Sequence, residues 1–205
     1  TFPTDKETQI YIVDKLGASQ SVIFMGHKSN KYDVDGDYFK SRIMNYSLGG
    51  GASARLFLNL REDKGYTYGV YSVFDGDKDQ GLFVVFSSVK TEATDSALVE
   101  ILTEIKNYTT DGITNEELRS TKSSMLNADA LKYESPNQKM GFLSRILEYD
   151  LDKSYIQKQA SILNLITKQE VDDLAKKLIR QDNMQIVIVG NSYLIKKKLE
   201  NLTSK

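Results

Sequence analysis

The distribution of apolar and polar positions along the chain changes character near residue 91. Before this point, apolar runs alternate with polar residues or are rich in β-branched and aromatic residues, as in strands. After it, apolar residues recur at i, i+3 and i+4, as in amphipathic helices. The chain therefore predicts early strands, then helices, and one late strand at 184–190 (MQIVIVG) that returns to the sheet.

Four runs in the first half predict two hairpins. The runs at 8–13 and 20–27 are joined by a turn around Gly17, and they predict the first hairpin. The runs at 66–74 and 82–89 flank a polar loop, and they predict a second hairpin with antiparallel strands.

Helices are predicted both by spacing and by the residues that start them. Phe39, Ile43 and Tyr46 predict a helix over 38–48, and a longer apolar stripe begins at Ala97. Three later helices are predicted to begin at capping boxes, in which two side chains three positions apart bind each other's backbone. These boxes are Thr114 with Glu117, Ser135 with Gln138, and Thr167 with Glu170.

The absence of any linker-like or low-complexity segment predicts one domain over residues 1–205. Strands at both ends with helices between them predict an α+β fold. A hydrophobic content of 40% and a charged content of 27% are ordinary for a globular protein, and the length allows a sizeable core.

Charge and composition exclude several classes of partner. Lys and Arg number 27 against 28 Asp and Glu, so no basic excess predicts a nucleic-acid partner. No apolar run is long enough for a transmembrane helix, so we expect no membrane partner. The stretch TFPTDKETQ is typical of neither a signal peptide nor a transit peptide, and we expect no targeting segment in this chain. Cysteine is absent, which excludes disulfides and thiolate metal sites.

The stretch from Leu48 to Val73 is the part around which the rest of the chain is organised. Three consecutive glycines, 49–51, allow the backbone to turn sharply or to approach another segment closely. Ser53 follows as a candidate N-cap, and the apolar residues of LFLNL predict the buried face of a short helix. Gly65 predicts the end of that helix, and the alternating residues after it predict a strand.

This stretch resembles the second-half domain of the insulinase (pitrilysin-type) zinc metallopeptidases, the family that includes the mitochondrial processing peptidases. The matching pieces are LGGG, SARLF at 53–57 and LREDKGYTYGV at 60–70. The segments SQSVIFMG, ITNEEL, ITKQEVDDLAKKL and QIVIVG extend the resemblance over nearly the whole chain. The resemblance implies an antiparallel sheet of about six strands packed against helices on one face.

The resemblance also implies roles for five residues of the stretch. It implies that Arg61 and Tyr68 reach into the active site of a zinc-bearing half and assist catalysis there. A Tyr hydroxyl and a guanidinium group can stabilise negative charge on a peptide carbonyl oxygen. It further implies that Gly49, Gly50 and Gly51 lie near the path of a peptide substrate and contribute to substrate binding.

The residues alone leave a structural alternative open for each of these roles. Arg61 could pair with a helix dipole or a carboxylate, and Tyr68 could be ordinary strand packing. A glycine run could be a simple turn between two helices. We expect the neighbouring Arg55, Asp63 and Lys64 to be structural surface charges.

No metal site is expected in this chain. An inverzincin zinc site needs H-x-x-E-H, and a catalytic zinc needs three protein ligands, whereas His27 is the one histidine of the sequence. The acidic runs DVDGD and DGDKDQG lack the Gly and Glu that an EF-hand loop requires, and they predict solvated turns. We therefore expect no cofactor in this chain, and zinc in the partner half.

The predicted function is that of a substrate-binding, transition-state-assisting second-half domain of a zinc-dependent endopeptidase, inactive without its zinc-bearing half. The partners would be a homologous zinc-bearing domain or subunit and a peptide substrate. The chain would then be a fragment of a longer protein or one subunit of an assembly. The alternative is a non-catalytic scaffold or a peptide-binding domain of the same superfamily, which an exposed strand edge would allow.

Overall fold

The computed structural model of the chain describes residues 7–131 and 135–203. The expectation of a single domain over 1–205 includes some residues outside these ranges. The expectation about the N-terminus also lies partly outside them. The described residues form five strands: β1 (Gln9–Asp14), β2 (Gln20–Ser29), β3 (Thr67–Asp75), β4 (Gly81–Lys90) and β5 (Gln185–Gly190). They make one sheet with the order β1-β5-β2-β4-β3.

Helices follow the strands as the spacing predicts. The α-helices are α1 (Asp37–Gly49), α2 (Arg55–Phe57), α3 (Thr94–Asp111), α4 (Asn115–Leu131), α5 (Pro136–Tyr149), α6 (Tyr155–Leu165), α7 (Lys168–Leu178) and α8 (Ser192–Thr203). A π-helix at Leu58–Asp63 continues α2, and short 3-10 turns occur at Thr91–Ala93 and Gln181–Asn183. In the described ranges, no helix combines the length and the apolar character needed to cross a membrane.

Several predicted features are confirmed by the structure. Strands β3 and β4 form the expected antiparallel hairpin. All three capping boxes are formed, as in α7, where Thr167 and Glu170 bind each other's backbone amides. The α+β class and the packing of helices against one face of the sheet are also as predicted.

The predicted first hairpin is wrong. Strand β5 lies between β1 and β2, pairing in parallel with β1 and antiparallel with β2. The sheet is therefore mixed and has five strands over the described residues, in place of the expected antiparallel sheet of about six. The physical reason is burial: β5 (QIVIVG) is apolar enough for the sheet interior, whereas β1 carries exposed Gln9 and Asp14 and suits an edge.

One face of the sheet is covered and the other is open. Alternate residues of each strand, such as Ile23, Phe83 and Ile188, are fully buried under the helices in a single core. We call the opposite side of the sheet the open face. It exposes large apolar side chains from four strands: Tyr11, Val13, Phe24, Leu82, Tyr71 and Val73. A core needs only one face of such a sheet, so the open face is available for something other than stability.

Candidate functional site

A β-bulge at the start of β3 presents Tyr68. Thr67 pairs with Val89 and Val70 with Ser87, so β3 has one residue more than β4 between these pairs. The bulge is held by hydroxyl groups: Thr67 Oγ1 donates to the Ser88 carbonyl oxygen at 2.6 Å and accepts from the Gly69 amide at 3.0 Å. A bulge changes the direction of the side chains it contains. As a result Tyr68 is 78% exposed, although strand residues on either side of it are buried.

The π-helix before β3 presents Arg61. Its wider turn is shown by the Lys64 amide, which donates to the Asn59 carbonyl five residues earlier at 2.9 Å. Leu60 is fully buried and anchors the segment to the core. Gly65 has a φ of 62°, which reverses the chain as the sequence predicts. Arg61 is therefore carried outward and back towards the strand that follows.

Arg61 and Tyr68 are in direct contact. The guanidinium carbon of Arg61 lies 5.2 Å from the centre of the Tyr68 ring, within the range of a cation–π interaction. The Arg61 side chain is 38% exposed, and its ion pair with Glu62 is long at 3.7 Å. The two groups are thus close together, with Arg61 partly exposed and Tyr68 mostly exposed, and within the described residues the ion pair of Arg61 is weak.

The pair borders a cleft of about 230 Å³ at one end of the sheet. Its other walls include Gln20, Ser88 and Lys90 from β2 and β4, so the cleft opens onto the open face. Two cations, Arg61 and Lys90, and two phenols, Tyr66 and Tyr68, border the same space. Such a set can donate hydrogen bonds to carbonyl oxygens and stabilise negative charge on them.

The glycine run lies elsewhere. Gly49 ends α1, and Gly49 and Gly50 line a separate, larger cleft of about 740 Å³ beside Ser72 of β3. Ser72 is four residues from Tyr68, which is about 13 Å along a strand. The structure therefore brings Arg61 and Tyr68 together but does not place the glycines against them. The predicted N-cap Ser53 is also wrong, because Ala54 precedes the first helical residue and no side chain caps it.

Packing explains two of the three glycines. A Cβ atom on Gly49 would lie 2.2 Å from Ser72 Oγ and 2.6 Å from the Ser72 amide nitrogen, and one on Gly50 would lie 2.7 Å from Tyr46 Cα. Gly51 faces open space. None of the three has a positive φ. Gly49 thus allows close approach between α1 and β3, and Gly50 allows the chain to turn closely over Tyr46 of α1, with no left-handed turn involved.

We expect Gly49→Ala to destabilise the protein by about 2 kcal/mol, because the added methyl group must displace the backbone of β3. Gly51→Ala is the matched control and should change the free energy of unfolding by less than about 0.5 kcal/mol. Urea denaturation of both variants measures this difference. Equal midpoints for the two variants would contradict the packing account.

The one histidine of the sequence is committed to structure. His27 is buried in β2, where its Nε2 accepts a hydrogen bond from the Arg180 amide at 3.0 Å and its Nδ1 lies 2.9 Å from the Lys28 carbonyl oxygen. Burial lowers the pKa of His27, which favours the neutral ring. Since both ring nitrogens are engaged, His27 does not fit a zinc ligand. Among the described residues, no group of three or more His, Cys, Asp or Glu is placed to hold a metal ion.

Arg55, expected to be a surface charge, is half-buried in the structure. Its guanidinium forms a two-pronged ion pair with Glu117, with Nε–Oε1 at 2.5 Å and Nη2–Oε2 at 2.8 Å, and also donates to the Gly112 carbonyl. The side chain lies over the ring of Tyr108 at 5.0 Å. Arg55 therefore ties the stretch that carries Arg61 to α3 and α4. Sequence spacing gave no indication of it, because the partners are more than 50 residues away.

Comparison with known proteins identifies the family of this chain. The family model described as the peptidase M16 inactive domain matches residues 1–125. The uncharacterized zinc protease YmxG of Bacillus subtilis (strain 168) is 31% identical over 141 residues, which are 68% of this chain and 34% of that protein. The non-peptidase homolog YmxG of Helicobacter pylori is 24% identical over 84% of this chain and 40% of that protein. The chain thus spans about a third to two fifths of these relatives.

A solved structure shows the same architecture. The peptidase M16 inactive domain from Pseudomonas fluorescens superposes with a TM-score of 0.82 at 26% identity, over 90% of this chain and 44% of that one. The resemblance that the sequence indicated is confirmed by the family match and by this fold. The chain belongs to the peptidase M16 inactive domain family, the second, non-zinc-binding part of the insulinase-type zinc proteases.

Proposed function

We propose that this chain is the substrate-binding and transition-state-assisting domain of a zinc-dependent endopeptidase, and that it is inactive without a zinc-bearing half. The observation that carries the proposal is the contact between Arg61 and Tyr68 on a solvated cleft at the end of the open face. A structural pair would more often be buried or held by further ion pairs, whereas Tyr68 leaves most of its ring exposed. The chain would be one domain of a longer protein or one subunit of an assembly.

In such an enzyme the zinc-bearing half supplies the metal and the activated water that it binds. The residues of this chain hold and stabilise the peptide. As the carbonyl carbon becomes tetrahedral, its oxygen gains negative charge, and the Tyr68 hydroxyl can donate a hydrogen bond to that oxygen. The Arg61 guanidinium can bind a neighbouring carbonyl oxygen and adds a fixed positive charge. The apolar open face would hold the rest of the peptide out of bulk water.

Gly49 and Gly50 contribute to substrate binding in this proposal only through their cleft. Both glycines line the cleft beside Ser72, where Gly49 lets α1 approach β3 closely. The exposed Arg42 and Arg145 border the same cleft together with Asp75, so a peptide passing over β3 would meet a wall with two positive charges and one negative charge. Gly51 has no contact that supports a role.

The test is reconstitution. The chain alone should cleave no peptide, and the chain assembled with its zinc-bearing half should cleave peptides in a reaction that a zinc chelator stops. Peptide cleavage by the chain alone, or an assembly that binds peptides but never cleaves them, would contradict the proposal. The second outcome would favour the scaffold alternative, which the name of the Helicobacter pylori relative, non-peptidase homolog, also supports.

A further inference from the structure

The open face contains a hollow above Gly26. It has a volume of about 370 Å³, at the lower end of the range for small-ligand pockets, about 300–1,000 Å³. Gly26 lies at its floor between Phe24 and Lys28 on β2, and only glycine fits there, because a Cβ atom would lie 2.0 Å from the Phe83 carbonyl oxygen. The cross-strand neighbours of Gly26 are Val84 on β4 and Gln185 on β5. Four apolar side chains wall the hollow: Phe24, Leu82, Val84 and Val187.

One rim of the hollow is positively charged. Lys28 and Arg180 line it, and the described lining residues include no carboxylate. Arg180 is held in place from two sides, since its amide donates to His27 and its guanidinium donates to the Lys28 carbonyl. The hollow therefore combines an apolar interior with a fixed basic edge, which complements an apolar side chain next to an acidic one.

The hollow lies on the same face as Arg61 and Tyr68, at the opposite end of the sheet. The bulge that carries Tyr68 lies opposite Ser88, and the hollow lies beside Val84, four residues earlier on β4. Four strand residues span about 14 Å along β4, and the two strand spacings from β3 to β2 add about 10 Å across the sheet, so the separation is about 17 Å. An extended peptide covers about 3.3–3.6 Å per residue, so a peptide whose carbonyl is bound at Tyr68 would reach the hollow about five residues away.

An aromatic row lies between the two places. Tyr71, Phe86 and Phe24 are directly opposite one another across β3, β4 and β2, with ring centres 5.9 Å and 6.1 Å apart. The row continues on β5 as Val187 and on β1 as Tyr11. It gives an extended chain a flat apolar surface to cross before the hollow opens.

We infer that the hollow above Gly26 binds a bulky apolar side chain of the peptide substrate, about five residues from the scissile bond. Lys28 and Arg180 would bind an acidic side chain about two positions further along, because residues two apart in an extended chain face the same side. This inference rests on the proposed function for its distance from the cut bond. It adds a substrate class: peptides that carry a large apolar residue and, about two positions further from the cut bond, an acidic residue.

The test uses the assembled protease and peptides that carry Phe, Leu or Ala at each position on either side of the cut bond. Phe or Leu should raise kcat/KM over Ala by about 10- to 100-fold at one position about five residues from that bond. Val84→Trp fills the hollow and should abolish this preference. Val13→Trp, the same substitution on the open face but outside the hollow, should leave it unchanged.

Two further variants keep the test decisive if Val84→Trp folds poorly. Leu82→Asp places a carboxylate at an exposed position of the wall and should also remove the apolar preference. Arg180→Glu should reverse the preference for an acidic neighbour. Binding of the same peptides, measured by fluorescence anisotropy with the zinc chelated, should show the same differences in Kd without depending on cleavage.

The outcomes separate this inference from the proposed function. If the apolar preference is absent, or persists in both Val84→Trp and Leu82→Asp, the hollow is not a subsite, whatever Arg61 and Tyr68 do. If binding shows the preference and its loss in these variants, but Tyr68→Phe cleaves at the wild-type rate, the hollow is a peptide subsite and the proposed role of Tyr68 is wrong.

Discussion

Tyr68→Phe is expected to lower kcat of the assembled protease by about 10²-fold or more, with little change in stability. The substitution removes one hydroxyl group, and loss of a single donor to a developing oxyanion typically costs on the order of 3 kcal/mol of transition-state stabilisation. Tyr68 is 78% exposed in this chain, so the missing hydroxyl should not disturb the fold. Single-turnover kinetics and a denaturation curve measure the two quantities separately.

Arg61→Ala should have a different kinetic signature from Tyr68→Phe. It removes a charge and several donors, so we expect KM to rise as well as kcat to fall. Tyr71→Phe is the matched control for the tyrosine. Tyr71 lies on the same face of β3, where its ring contacts Phe57 and Phe86, and the loss of its hydroxyl should leave kcat unchanged.

Wild-type rates for both Tyr68→Phe and Arg61→Ala would remove the basis of the proposed catalytic role. The scaffold alternative would then be the better account of the domain. An equal fall in kcat for Tyr71→Phe and Tyr68→Phe would show that losing any hydroxyl group on this face lowers kcat. The contact between Tyr68 and Arg61 would then have no separate role in catalysis.

The features that sequence predicted best depend on contacts between near neighbours. A capping box such as Thr114 with Glu117 is completed within three residues, so its residues specify it without reference to the rest of the fold. The β3–β4 hairpin is similar, because a short polar loop joins two alternating runs. The proximity of Arg61 and Tyr68 was predictable for the same reason: Gly65 reverses the chain between them.

The features that sequence did not predict depend on long-range contacts or on small changes in geometry. The neighbours of β1 were misassigned because β5, which is more than 170 residues away, replaces β2 as its partner. Leu56 of α2 and Leu60 of the π-helix are both buried, at a spacing that also fits a continuous α-helix, so the pattern cannot distinguish a π-helix from an α-helix. The bulge at Thr67 depends on the Ser88 carbonyl of the neighbouring strand.

The second large effect that we expect is a loss of stability in Arg55→Ala. Arg55 and Glu117 side chains are 20% and 26% exposed, and removal of one member leaves the other partly buried without its partner. Burial alone would raise the pKa of Glu117, but hydrogen bonds from Arg55 and Thr114 outweigh it and hold the pKa below its ordinary value. We expect the free energy of unfolding to fall by about 2–3 kcal/mol, less than for a fully buried pair.

The pH dependence of stability provides a second measurement of the same pair. Because the pKa of Glu117 is lower in the folded protein, the unfolded chain binds a proton first as the pH falls. The contribution of the pair is therefore present at neutral pH and decreases as the pH falls through the acidic range. The difference in stability between wild type and Arg55→Ala should narrow in the same range, and a difference that does not change with pH would contradict this.

Arg61→Ala completes the comparison, because it is the same substitution only six residues further along the chain. Arg61 has one long, exposed ion pair, and exposed pairs contribute little, so its loss should change the free energy of unfolding by less than about 0.5 kcal/mol. Arg55→Ala should thus reduce stability, whereas Arg61→Ala should reduce activity. A double-mutant cycle of Arg55→Ala with Glu117→Ala measures the coupling free energy of the Arg55–Glu117 ion pair. A coupling near zero would contradict the structural role of the Arg55–Glu117 pair. A larger loss of stability for Arg61→Ala than for Arg55→Ala would mean that the two arginines have been assigned each other's roles.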